Sequence, residues 1–339
     1  LDNKYLSLKK NTNIRKKIKR ILIYFGASDK DNYTLEIINI IANKKYSKYM
    51  FKIVISKENK NFKKISKISD LFPWINIQKP LNSLADLILE SDMAIGAGGT
   101  NTWERLILGL PSLVIPIAKN QHYICKNLKD INLIKVKNKE ENLEKWIDSS
   151  LKFMNKNIEK ISGDSMVLVD GYGTSRICNS ILGTYGPLKL KKIKRIDKSL
   201  LFNLTNGICT RENSFNKKQI TINTYSECFD KTFDNKNNLI YIAYCINDSP
   251  VGQIRFDIID EKCYLDFSID RTYRGNGFGH EIVKKGIQKI KKTNLNFKFI
   301  ITEVLKSNIA SIKIFRDFGF YEKYQNNKES ISFYREIKL

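Results

Sequence analysis

The stretch "YRGNGFGHE", Tyr273 to Glu281, sets three glycines within five positions behind an arginine and runs directly into the helix-like "HEIVKKGIQKIKK". Glycine has no Cβ, so a glycine-rich turn that opens a helix presents bare N–H groups and the positive helix end to an anion. A P-loop would close with Gly-Lys-Ser/Thr, whereas this turn closes with Gly279-His280-Glu281. A Rossmann turn would open a βαβ unit. What precedes it here is "LIYIAYCINDSPVGQIRFDIIDEKCYLDFSID" (Leu239 to Asp270), with turn signals at Asn247-Asp248-Ser249-Pro250 and Asp260-Glu261-Lys262. That pattern reads as an antiparallel meander.

Downstream, the strand "FKFIITEVL", the helix "NIASIKIFRDFGF" and a last strand "SISFYREIK" complete an α+β domain over 192–339. Upstream, "VDGYGTSRICNSILGTYGPLKLKKIKR" carries glycines, a proline and a lysine run, which places the domain boundary near Gly186 to Lys192. Before it the texture is different. Strands "ILIYFGASD", "KYMFKIVIS", "INIQKP", "MAIGAG" and "PSLVIPIA" alternate with helical segments such as "NYTLEIINIIANK" and "TNTWERLILGL", and helices follow from Asn120 to Leu151. Such a rhythm predicts an α/β fold, a Rossmann-like doubly wound parallel sheet over 19–187, behind a basic leader or inter-lobe remnant at 1–18.

A chain of 339 residues suits two domains. Its 59 Lys+Arg against 35 Asp+Glu give a formal charge of +24. The lysines are scattered among asparagines and isoleucines instead of forming stripes, which reads as compositional bias and argues against nucleic acid and membrane as partners. The alternative use of the surplus is to draw in anionic substrates. The six cysteines make no C-x-x-C pair and no cluster with His122 or His280, so no metal site and a reducing, cytoplasmic setting are expected.

With Arg274, Gly277 and Gly279 forming Arg-x-x-Gly-x-Gly, Asn308 and Ser311 forming Asn-x-x-Ser, and Gly319-Phe320 after them, the second domain resembles the GNAT acetyltransferases. The resemblance implies acetyl-CoA as cofactor, its pyrophosphate on the loop Arg274, Gly275, Asn276, Gly277, Phe278 and Gly279. It also implies the pantetheine arm beside "YLDFSID" (Phe267, Ile269), and further contacts at Asn308 and Ser311. "NLTNGICTRENSFNKKQIT" and "PVGQIRFDII" are similar to elements of the sugar-nucleotide amine acetyltransferases in that family, which implies that Asn206, Arg211, Gln253 and Arg255 face an acceptor sugar. Gly207 departs from that pattern, where the motif has Asp, as does Tyr225, where related chains often carry histidine. Many members place a tyrosine as general acid where this chain has Phe315. Acyl transfer needs a neutral amine, and Glu303, at a strand end before the cofactor helix, is the candidate base, directly or through a water.

In the first domain, "AIGAGGTNTWERLILGLPSLVIPIAKNQ" puts a glycine turn after one strand, an acid in the next helix and a polar pair after the next strand. This suits either a diphosphate crevice with a ribose-binding carboxylate or plain βαβ packing. The stretch resembles the nucleotide-binding half of GT-B proteins, in particular the UDP-sugar hydrolases of pseudaminic acid biosynthesis. That resemblance implies Gly98, Gly99 and Thr100 against the diphosphate, Glu104 on the ribose, and Asn120 and Gln121 near sugar or phosphate. "YFGASDKDN" matches the family's first-strand loop, with Gly26 and Ser28 in contact and Ala27 replacing a usual glycine. In those hydrolases a catalytic histidine and an arginine lie early in a preceding lobe, and neither His122 nor His280 falls in such a position. The expectation is a fragment of a longer bifunctional protein, or a surviving UDP-sugar-binding lobe.

The expected function is transfer of an acetyl group from acetyl-CoA to a UDP-linked amino sugar bound for a nonulosonic acid such as pseudaminic or legionaminic acid. A homodimer is compatible with this reading. The alternatives are a UDP-sugar hydrolase completed by an N-terminal lobe, and a non-catalytic nucleotide-binding scaffold.

Overall fold

A computed structural model of the chain describes all residues except 27–28, 184, 324–328 and 338–339, together with all side chains among them but those of residues 3, 208, 209 and 247. It divides into two units, Leu1–Gly171 and Tyr172–Leu339.

The first unit contains α1 (Asn3–Lys9), β1 (Arg20–Tyr24), α2 (Tyr33–Ile41), β2 (Met50–Val54), α3 (Phe62–Leu71), β3 (Ile75–Gln78) and α4 (Ala85–Glu90). It continues through β4 (Met93–Ala97), α5 (Asn101–Ile107), β5 (Ser112–Ile115), α6 (His122–Asp130), β6 (Ile134–Val136) and α7 (Leu143–Leu168). The six strands run parallel in the order β3-β2-β1-β4-β5-β6. Both faces are covered, which is why the strands are apolar throughout: Ile21 and Ile23 pack among residues of α2 and α7, and Leu22 among those of α4 and α5. The sequence order reverses between β1 and β4, so a crevice forms outside their carboxyl ends, where ligands of such sheets bind.

The second unit contains α8 (Gly173–Leu182), β7 (Lys189–Lys192), α9 (Lys198–Asn206), α10 (Ile208–Glu212), α11 (Ile222–Asp234), β8 (Asn238–Tyr244) and β9 (Pro250–Ile259). After these come β10 (Lys262–Ile269), α12 (Phe278–Ile290), β11 (Phe299–Leu305), α13 (Ile309–Asp317), β12 (Tyr321–Lys323) and β13 (Ser330–Glu336). Its seven strands are ordered β12-β13-β11-β10-β9-β8-β7, and only β10 and β11 run parallel. The expected meander is β8-β9-β10. Asp260 (φ 46°) and Glu261 (φ 59°) both take left-handed backbone between β9 and β10, as a tight two-residue hairpin turn requires. One face carries the core of α12 and α13, and the other the cluster of α9 and α11.

Three readings of the sequence shift. The basic leader read at 1–18 packs onto the first unit: Tyr5 is buried among residues of α4 and α5, and the Lys9 ammonium donates to Val169 O at 2.6 Å. The division falls after Gly171, earlier than 186–192, because α8 joins the second unit through Asn179, whose amide donates to the Tyr273 hydroxyl at 3.2 Å, and through Arg176, paired with Asp270 at 2.9 Å. Between Asn120 and Leu151, read as helical, the short strand β6 intervenes and extends the sheet beside β5.

Candidate functional site

In the second unit the site arises where the sheet comes apart. Strands β10 and β11 pair only from Lys262↔Phe299 to Tyr264↔Ile301. Beyond that point β10 stays paired to β9 as far as Ile269, and β11 to β13 as far as Leu305. The two inner edges therefore diverge with their peptide groups unmatched by each other, and they line a cleft of 610 Å³. Phe267, Ile269, Gln253, Glu303, Asn308 and Ser311 all line it.

The glycine turn closes one end. Gly277 has φ 76° and stands as N-cap of α12 without a side-chain cap. The amides of Gly275 through Gly279 have no acceptor among the described residues. Unpaired donors at the start of a 13-residue helix make an anion cradle. A Cβ on Gly279 would lie 2.8 Å from Ile314 Cδ1, so a larger residue here would make the Ile314 side chain shift on α13. Arg274 is pinned across the turn, its Nε donating to Ile269 O at 3.1 Å and its Nη2 to Thr210 Oγ1 at 3.2 Å. His280, its ring 4.4 Å from that of Phe318, and Lys313 add cationic or donor groups to the lining. The free amides, the arginine and the open cleft fit a long ligand with a diphosphate at one end and amides along its length.

Several expected residues shape this space through the bonds and packing they make. The Asn276 amide donates to Tyr273 O at 3.2 Å and to Arg274 O at 3.1 Å, which shapes the turn. Phe278 is buried against Tyr185 and Tyr273. Asn308 accepts from Ser311 N at 3.2 Å, capping α13 at the cleft wall. Phe315 is buried against Phe267, Phe320 and Phe333, so its position supplies no hydroxyl.

The residues assigned to the acceptor also separate. Asn206 exchanges two hydrogen bonds with the backbone of Ile220, at 2.9 and 2.7 Å. Arg211 lines the cleft but donates to Lys218 O at 2.9 Å and to Asn216 O. Together they fasten the loop between α10 and α11. Arg255 is held by Asp257 at 2.7 Å. Gln253 reaches Thr205 Oγ1 at 3.4 Å on the cleft wall. Glu303 accepts from Ser330 Oγ at 2.5 Å. Burial raises the Tyr225 phenol well above its ordinary pKa, against the pull of Arg255, which keeps it neutral. Sequence reasoning missed Asp266 and Ser268, which also line the cleft; their position opposite Arg255 and Gln253 in the meander is the signal that points to them.

In the first unit, Gly26 follows β1 and Gly98 follows β4, at neighbouring carboxyl ends. Ser28 lies outside the described residues. Gln121 acts as a clip: its Oε1 accepts from Gly98 N at 3.1 Å and from Ile117 N at 3.0 Å, tying together the turns after β4 and β5. A Cβ on Gly98 would lie 2.4 Å from Cys125 Sγ, which explains the glycine. The amides of Gly99 and Thr100 have no acceptor among the described residues. Glu104 accepts from Asn101 Nδ2 at 2.6 Å, and Asn120 is exposed. Buried Arg105, its Nη2 2.7 Å from Ala97 O, keeps a positive charge under this turn, although burial lowers its pKa to about 10.

Comparison with known proteins finds a family model for each unit. Residues 210–320 match the family model described as Acetyltransferase (GNAT) family, and residues 21–167 match that of the Glycosyltransferase family 28 C-terminal domain. The chain thus carries an acyltransferase domain, whose family uses acetyl-CoA, together with a nucleotide-sugar-binding type of lobe. An uncharacterized protein of Methanocaldococcus jannaschii is 23% identical over 368 residues, covering 100% of this chain and 69% of that protein. Among solved structures, a domain from Methanocaldococcus jannaschii has TM-score 0.39 at 17% identity, covering 44% of this chain and 98% of that one. The Vibrio cholerae spermidine N-acetyltransferase in complex with CoA and spermine has TM-score 0.39 at 17% identity, covering 44% and 94%. No group of residues suited to a metal ion occurs among the described residues, and no helix there is long and apolar enough to cross a membrane.

Proposed function

We propose that the protein transfers an acetyl group from acetyl-CoA to the amine of a UDP-linked amino sugar on the way to a nonulosonic acid, the first unit holding a nucleotide-sugar and the second performing the transfer. The observation that carries the reading is the cleft between β10 and β11, closed at one end by the unmatched amides of Gly275 to Gly279. Those amides and Arg274 would hold the diphosphate of the donor, which brings an activated thioester. The acceptor enters as an ammonium and must lose a proton before it attacks, and three carboxylates, Asp266, Glu303 and Asp317, line the same cleft. The first unit supports a nucleotide ligand through its crevice at the strand reversal and the free amides of Gly99 and Thr100. Free cysteines among the described residues suit a reducing, cytoplasmic setting.

The test follows thiol and UDP release in parallel, with acetyl-CoA and UDP-4-amino-4,6-dideoxyhexoses. CoA release that depends on the sugar, without UDP release, supports the reading. UDP release without CoA favours a hydrolase, and silence in both assays overturns both enzymes. For the first unit, Gln121→Leu frees the Gly98 and Ile117 amides from their clip. Calorimetry with UDP should then show about tenfold weaker binding, equivalent to roughly 1–2 kcal/mol.

A further inference from the structure

Asp266 and Glu303, both on the parting strands that line the cleft, are not equivalent. In the antiparallel pair, Gln253 faces Ser268 and Arg255 faces Asp266, so these four side chains share one face of the sheet. Glu303 is already engaged as acceptor to Ser330 Oγ at 2.5 Å. Asp266 has no side-chain donor among the described residues; the backbone amide of Phe267 beside it favours its charged form. Its side chain keeps solvent access where it lines the cleft, with many protein atoms around it. Two residues along, the Ser268 hydroxyl is 7% exposed and lacks any partner among the described residues. A buried hydroxyl without a partner is costly, and here it lines the cleft beside an unengaged carboxylate.

Resting on the acetyl-transfer reading, we propose that Asp266 is the catalytic base that takes the proton from the acceptor's ammonium, with Ser268 hydrogen-bonding a polar group of the same acceptor. The ammonium proton passes to the Asp266 carboxylate, leaving a neutral amine. The nitrogen lone pair forms the N–C bond to the thioester carbonyl, and the C–S bond breaks with its electron pair on sulfur. The second nitrogen proton goes to that sulfur, giving amide and free thiol, and Asp266 returns its proton to water. The net reaction consumes an ammonium and a thioester and yields an amide, a thiol and one proton.

The environment tunes the group for this task. Desolvation raises Asp266 to about 6 against the pull of Arg255, and Asp257 adds to the rise. The charged groups that act on it are Arg255 and Asp257 on β9, and Tyr225 on α11 faces Arg255 in turn, while Arg211, Arg274, His280, Glu303, Lys313 and Asp317 line the same cleft. A base with this value is ionised at neutral pH and is stronger than an ordinary aspartate.

The test compares wild type, Asp266→Asn and Glu303→Gln with acetyl-CoA and a UDP-4-amino sugar. Wild-type kcat/KM should fall as pH drops below about 6, and D266N should lose on the order of 100-fold in kcat near pH 7.5 together with that acid limb. E303Q should lower the rate yet keep the limb. Two readouts do not need turnover. A carboxyl titrating near 6 in the 13C spectrum of the free protein should vanish in D266N, while the heat of acetyl-CoA binding stays unchanged. Between the ordinary aspartate value and 6, the folded state holds a proton that the unfolded chain releases, so stability falls as pH rises through that window. D266N should therefore melt higher than wild type at pH 8 and not at pH 4. Wild-type acetylation with D266N equally active at every pH would overturn the role of Asp266 alone. An inactive wild type would overturn the acetyl-transfer reading, and this role with it.

Discussion

Replacing Gly277 with aspartate will weaken acetyl-CoA binding by on the order of 100-fold or more, while the protein stays folded. A Cβ at this position meets nothing within 4 Å, so the side chain has room. The structural penalty is that of a left-handed residue at φ 76°, about 1–2 kcal/mol. The binding penalty is larger, because the new carboxylate would stand at the helix end that offers its amides to a diphosphate. Like charges about 4 Å apart in a partly screened site repel by roughly 4 kcal/mol, which exceeds a hundredfold in affinity. Gly277→Ala separates the two effects: it carries the same backbone strain and no charge, so its affinity should fall less than tenfold. Calorimetry with acetyl-CoA, paired with thermal melts, checks both variants. Aspartate binding as tightly as alanine would remove the anion from this turn.

The second large effect is on stability. Arg15 is buried, and its guanidinium donates to Ile88 O at 3.0 Å, Ser91 O at 3.4 Å, Asn13 O at 3.4 Å and Leu108 O. One side chain thereby serves carbonyls at the ends of both α4 and α5, and it stays charged although burial lowers it to about 10. Arg15→Met fills similar volume but satisfies none of these acceptors. The expected loss is about 3–5 kcal/mol, since each unsatisfied buried group costs 1–3 kcal/mol. In a unit of this size that lowers the melting temperature by on the order of 10 °C. Differential scanning calorimetry should show the drop in the transition of the first unit alone; a melt matching wild type would mean that water replaces the guanidinium.

Arg15 also marks where sequence reading runs out. A run of lysines and arginines at 1–18 carries no period, so nothing in it distinguishes a solvated tail from a buried cation whose partners lie far along the chain. The parallel sheet was legible because its strands are short apolar runs, and the meander because Asp260-Glu261 and Asn247-Asp248 punctuate it. The strand β6, three residues long, is too brief for any periodicity to register. At the site, the glycine turn declared itself through residue type, since few amino acids tolerate such a backbone. Asn206 and Arg211 resemble ligand-binding residues in type, yet their polar atoms are occupied by loop carbonyls and amides. Asp266 shows the reverse. Nothing in "YLDFSID" distinguishes it from a surface aspartate until cross-strand register puts it opposite Arg255, inside the cleft.

The parting of β10 from β11 beyond Tyr264 and Ile301 leaves the second unit with an interruption in the middle of its sheet. Half of the peptide hydrogens along 265–269 and 302–305 point into a gap instead of towards a neighbour, and they should exchange with deuterium faster than those of the zipped portion beside them. A donor carrying amides of its own would fill the missing rungs, so binding should slow exchange along both edges and leave 262–264 and 299–301 unaltered. On this view the acyl donor is a temporary strand, and loading it makes the sheet mechanically continuous.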